Sequence, residues 1–252
     1  MHVTRLFEEE LRRRGIHFSM DIESGRHIIQ VGEWRTLVSL DNLKRGVASD
    51  GDAGRIARFV DTIMIPPDQG IETLSADELY WSIEPNSDER ADYRVEISDR
   101  VDRVLVHLSS DMSRIEWVTS AMLHSLGLTQ SEAEEKAFAN LARALTEATV
   151  ECLDIEGVQL GYITSKLPFK AALILAPNLR DMVESKIGWP LMAVIPDREF
   201  LYFWAARHSN FAQRVGGVVV DEYSKAPYPL STEVFEITNE TVRAIGEFPC
   251  RP

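Results

Sequence analysis

The stretch FKAALILAPNLRDMVESKIGWPLMAVIPDREFLYFW, residues 169–204, decides the fold. Its apolar run is broken by Asp197-Arg198, so it reads as a buried helix and a core strand meeting at a charged turn. Residues 191–195 form the strand. Pro196 has no N–H to give a sheet, so pairing stops there and both charged side chains emerge where the strand ends. Strand ends are common ligand positions in α/β folds, which makes Asp197 and Arg198 the candidate ligand-binding residues. The competing reading of the same pair is an ion pair or Asx-type turn that secures the crossing into residues 200–204. Trp189, Tyr202, Phe203 and Trp204 read as core.

Outward from this stretch, the elements are mixed. A helix is expected from Thr4 to Gly15, with Glu8, Glu9 and Glu10 four residues ahead of Arg12, Arg13 and Arg14, the favourable order for intrahelical pairs. Alternation and the turn glycines Gly25 and Gly32 predict strands at 16–22, 27–31 and 34–40. Asp41 and Asn42 are candidate caps of a short helix through Arg45, and Asp52 of a second with Ile56, Phe59, Val60 and Ile63 inward. Further strands are expected at 93–97 and 101–108, the latter apolar on both faces and so central. Helices are expected at 113–126 and 131–150, with Gly127 as C-cap and Thr129 and Glu132 spaced as a capping box. Asn140 lies beside the small-residue stripe Ala133, Ala137, Leu141, Ala144 and Ala148, placed to fix a nearby loop by hydrogen bonding. Strands at 158–164, 218–221 and 234–238 follow, and 242–245 closes a sheet. Helices and strands do not alternate strictly, so the expected class is α+β, with mixed or antiparallel sheets, packed helices and up to two lobes. The lobes are residues 1–66 and 93–252, joined by an acidic connecting segment, 67–92; one continuous domain is the alternative.

At 252 residues the chain is long enough to bury a full core without staples. Cys152 and Cys250 stand far apart, which excludes a disulfide framework or a CxxC pair and fits free thiols in a reducing, cytoplasmic compartment, with a single Cys152–Cys250 bridge as the lesser alternative. The N-terminus carries no signal-like apolar run, and no window approaches a membrane span. The net charge of -13 is uneven: residues 66–156 hold twenty acidic and seven basic groups, while 1–65 and 157–252 hold ten of each. That middle third repels a polyanion, so nucleic acid is an unlikely partner; a basic protein partner or a divalent cation is the functional reading, and a solvated acidic face that aids solubility is the plainer one. The helix pair around Gly127 fails as a DNA reader for the same reason, because Glu132, Glu134 and Glu135 would face phosphate.

Signatures of catalysis are missing. There is no G-x-S-x-G elbow and no phosphate-cradling G-x-x-x-x-G-K-[ST]; Gly216-Gly217 reads as a loop entering a strand. No H-x-x-x-H pair occurs among the six histidines, His107 and Asp111 are the nearest ligand-like pair, and Asp50-Gly51-Asp52 is a turn rather than a calcium loop. Neither a metal nor a cofactor is expected.

Three ordered motifs carry a resemblance: Val38-Ser39-Leu40-Asp41-Asn42-Leu43; Leu126-Gly127-Leu128-Thr129 leading to Ala139-Asn140-Leu141; and Ala193-Val194-Ile195-Pro196-Asp197-Arg198. Together they span most of the chain and resemble the bacterial YtpQ-like domain-of-unknown-function family. The chain departs from that pattern before Lys170, where the family carries a serine and small residues, and at Pro177. The resemblance implies a cytosolic bacterial protein and transfers no catalytic residue. With chemistry missing and an acidic middle third, the function expected is a non-enzymatic protein- or peptide-binding module. The alternative is a hydrolase-like enzyme with its site at the Pro196-Asp197-Arg198 turn.

Overall fold

The computed structural model describes all residues except 1, 22–25, 32–33, 39, 41–42, 45–46, 49–50, 65–73, 87–90, 111, 113–114 and 250–252. The candidate caps Asp41 and Asn42, Asp111 and Cys250 therefore lie outside the described residues. The chain divides into two compact units: residues 1–73 with 225–227, and residues 74–224 with 228–252.

In the first unit, α1 (His2–Arg13) precedes a three-stranded antiparallel meander, β1 (His17–Met20), β2 (His27–Val31) and β3 (Trp34–Val38), and then α2 (Gly54–Ile63). Phe7 and Leu11, four residues apart on α1, meet Ile29 of the sheet and Ile56 and Val60 of α2 in one small core. The sequence anticipates this unit well because each element is amphipathic with its own period. Asp52 does terminate α2, from one residue further out than a true N-cap: its Oδ1 accepts the Gly54 N–H at 2.8 Å.

The second unit carries two antiparallel sheets. The smaller contains β4 (Leu79–Pro85), β5 (Arg94–Glu96), β6 (Val101–Leu108) and β7 (Ile115–Trp117), with β6 in the centre. β4 runs along one edge of β6, and β5 and β7 share the other edge in succession. α3 (Ser120–Leu126) and α4 (Gln130–Thr146) follow. The larger sheet adds β8 (Thr149–Ile155), β9 (Val158–Thr164), β10 (Leu191–Val194), β11 (Tyr202–Ala205), β12 (Glu233–Ile237) and β13 (Val242–Glu247), in the order β13-β12-β10-β11-β9-β8. Between β9 and β10 lie a 3₁₀ segment, Lys170–Leu175, and the short α5 (Leu179–Val183); between β11 and β12 lies α6 (Ala212–Lys225). The fold is α+β with antiparallel sheets.

Period-two burial explains the layers. On β10 and its neighbours, Leu191, Ala193, Phe203, Ala205, Phe235 and Ile237 face the main core, which also holds β4, β6 and α4. The alternate residues Met192, Val194, Trp204 and Val234 pack against Phe211 and, from α6, Val215 and Val219. Both faces of β10 are therefore covered, which is why residues 191–195 read as a continuous apolar run. α4 starts at the expected capping box: Thr129 Oγ1 accepts the Glu132 N–H, and Glu132 accepts the Thr129 N–H at 2.9 Å. The Thr129 N–H and then its hydroxyl, both donating to the Glu132 carboxylate, hold that carboxyl below its usual range. Asn140 donates to the carbonyls of Ala76 at 3.1 Å and Leu79 at 2.7 Å, fixing the chain where it enters β4.

Five expectations about the elements are corrected. Residues 113–126 do not form one helix, because Ile115–Trp117 pairs with β6 before the Thr119 cap starts α3. The second helix ends at Thr146, and residues 149–150 open β8. Residues 79–85, placed in the connecting segment, are β4, a fully paired strand of the second unit. Residues 218–221, expected as a strand entered from a glycine loop, lie inside α6. There Val215 and Val219 share the buried face one turn apart while Val218 is 47% exposed, and Gly216 leaves room for the Phe248 ring. The run of β-branched residues hid the helical period. The opening stretch is also two short helical pieces before β10 rather than one helix, since Pro177 separates them.

Candidate functional site

Asp197 and Arg198 sit at the end of β10, on the turn toward β11, as expected. Asp197 is 8% exposed and both carboxylate oxygens are engaged by backbone: Oδ1 accepts the Glu199 N–H at 2.7 Å, an Asx turn, and Oδ2 accepts the Tyr228 N–H at 3.1 Å. The main chain repeats the tie, with Arg198 N donating to Tyr228 O and Leu230 N to Pro196 O. Arg198 turns inward, with Nη2 at 2.5 Å from Glu84 Oε2 and Cζ at 4.8 Å from the Tyr228 ring centroid. Its side chain is 17% exposed and that of Glu84 5%. Glu84 Oε1 accepts from Ser82 Oγ at 2.7 Å.

This arrangement solves an electrostatic problem created by β4–β6 pairing. Glu84 stands directly opposite Asp102, and like charges at opposed positions repel. Arg198 neutralises the first, and Arg94, with Nε at 3.6 Å, faces the second. A similar buried carboxylate, Glu233, is satisfied by the hydroxyls of Ser98 at 2.8 Å and Ser231 at 2.7 Å. The Asp197-Arg198 turn thus spends its polar atoms on joining β10, β4 and the strand entering β12, with only Arg198 Nε left buried without an acceptor. Its chemistry is that of a latch.

A different place in the second unit is concave. A cleft of about 640 Å³ opens between β5, the 3₁₀ segment with α5, and the turn joining β12 to β13. Ile174, Leu175, Leu179, Phe138 and Trp189 supply apolar walls, and residues 238–241 form one lip. Trp189, expected in the core, is half-buried on this surface. Arg103 of β6 also lines the cleft, with its guanidinium against two adjoining aromatic rings: Cζ is 4.9 Å from the Trp81 ring centroid and 5.4 Å from that of Phe138. Arg103 Nε is buried without an acceptor, and the side chain makes no ion pair among the described residues. Around the mouth stand exposed Glu96, Asp181 and Glu240, with no ion pair among the described residues, and Arg180, whose charge is taken by Glu184 at 2.8 Å. Neither Asp197 nor Arg198 lines this cleft. Sequence reasoning missed it because its residues come from six separate segments; the one local signal is a charged Arg103 between Val101 and Leu105 on one face of β6.

Metal chemistry finds no cluster. Among the described residues no group of three His, Cys, Asp or Glu side chains is placed to hold an ion, and His107 faces Glu78 at 3.2 Å. No helix among the described residues is long and apolar enough to cross a membrane. No family model, curated protein or solved structure matches the chain.

Proposed function

We propose that the second unit is a non-enzymatic binding module that holds a peptide segment of a basic partner in the Arg103 cleft. The carrying observation is the cleft itself: about 640 Å³, within the roughly 300–1,000 Å³ of ligand sites, with apolar walls and charged groups at its mouth. The carboxylates of Glu96, Asp181 and Glu240, which form no ion pair among the described residues, supply the preference for positive charge. Glu96 belongs to the acidic middle third, so the segment that repels nucleic acid contributes one wall of the peptide site. The YtpQ-like resemblance belongs to the same reading and adds no site residue to it.

The test is affinity selection of a synthetic library of N-acetylated tripeptides with free C-termini, read by mass spectrometry. Lys- and Arg-containing members are expected to be enriched, and Asn239→Trp, which places an indole on the cleft lip at an exposed position, is expected to abolish the enrichment. Absence of enrichment, or enrichment indifferent to Asn239→Trp, overturns the reading.

A further inference from the structure

The charge balance of the cleft identifies one end of its occupant. Arg103 lies half-buried at the cleft, its guanidinium resting against the Trp81 and Phe138 rings and its Nε shielded from water, and it has no ion-pair partner among the described residues. A half-buried guanidinium without a counter-charge is screened less than one on open surface, so an anion that reaches it is held more strongly. The neighbouring arginines show the contrast: Arg198 reaches Glu84, Arg94 faces Asp102 and Arg180 reaches Glu184. Stacking also restricts the side chain, so little conformational freedom remains to be lost when an anion arrives. The planar fork of a guanidinium matches the two oxygens of a carboxylate.

We infer that Arg103 receives the C-terminal carboxylate of the bound peptide, while a basic side chain of the same peptide lies against Glu96, Asp181 and Glu240. This rests on the peptide-binding reading above and specifies its chemistry. A phosphate group fits less well. Its second negative charge would approach those three carboxylates, whereas a carboxylate followed within a residue or two by an ammonium or guanidinium matches both signs present. The apolar walls, Ile174, Leu175 and Trp189 among them, cover the aliphatic stem of such a side chain.

The experiment compares two versions of one library, N-acetylated tripeptides with free-acid and with amidated C-termini, on the unaltered protein and on Arg103→Met and Arg103→Lys. The expected result is at least tenfold stronger retention of the free acids by the unaltered protein. Arg103→Met erases that difference, and Arg103→Lys keeps part of it as a point charge without the fork. Equal retention of acids and amides by the unaltered protein, a comparison that needs no variant to fold, overturns the carboxylate assignment and leaves the peptide site standing. Retention of neither version removes the peptide site as well. Free lysine displacing the peptides at equal concentration shows that the carboxylate belongs to an amino acid, and overturns the chain-terminus assignment.

Discussion

Two arginines of the second unit, Arg198 and Arg103, lie half-buried against aromatic rings and differ in what answers their charge. Arg198 stacks on Tyr228 and is met at 2.5 Å by Glu84, itself held by Ser82. Arg103 stacks on Trp81 and Phe138 and is met by no carboxylate among the described residues. A cation whose partner lies inside the fold is accounted for by stability. One that lines a cleft without a partner asks for something from outside, and the difference separates a structural turn from a binding surface.

The comparison breaks most readily at the latch. Glu84→Ala leaves Arg198 buried and unpaired, and breaking a buried pair from one side costs about 3–5 kcal/mol, so urea melts should show a loss near the lower end of that range, given partial exposure of the arginine. The double variant Glu84→Leu with Arg198→Met is expected to recover most of the loss, because two apolar groups need no pairing. A loss under about 1 kcal/mol for Glu84→Ala would make the Asp197-Arg198 turn dispensable to the fold and return it to the list of functional candidates. The cleft gives the smaller effect: Arg103→Met forfeits two cation–π contacts but relieves an unpaired charge, and its melt should lie within about 1 kcal/mol of the parent. A cost several times larger would show Arg103 to be a structural element like Arg198.

The smallest effect lies in water, on α1 of the first unit, where Glu10 is pulled down to about 2 by hydrogen bonds from Arg13 and then Arg14. A folded value below the ordinary 4.5 means that this pair contributes above about pH 4.5 and loses its contribution as pH falls through about 2. Carboxyl titration by NMR should place Glu10 well below the ordinary 4.5. Glu10→Gln should flatten that acid limb slightly, less at high salt, since exposed pairs are screened.

Legibility in the sequence followed the range of the interactions. α1, the meander, β6, β9, β10 and the capping box at Thr129 were readable because caps, alternation and i,i+4 spacing act over a few residues. Asp197-Arg198 was located correctly as a charged turn at a strand end, and the Asx turn is legible in Asp197 itself. Glu84, 114 positions away, is not. The misread segments have a common cause: valines 218–220 suit a strand by propensity, yet packing of Val215 and Val219 under the larger sheet imposes a helix. Residues 115–117 become a strand because the upper edge of β6 is open beside them.

By itself, then, the sequence determined the α+β class, the charge asymmetry, the proline-stopped strand and the cap that starts α4, all consequences of backbone chemistry and local spacing. Tertiary structure alone decided which charges find partners. Arg103 and Arg198 are equivalent as residues; the path of β4 brings Glu84 to Arg198 and makes it part of the frame, while Arg103 rests on two aromatic rings without a carboxylate among the described residues and is the candidate anchor for a ligand. Burial multiplies the strength of a pairing and the cost of its absence, and burial is set by segments distant along the chain.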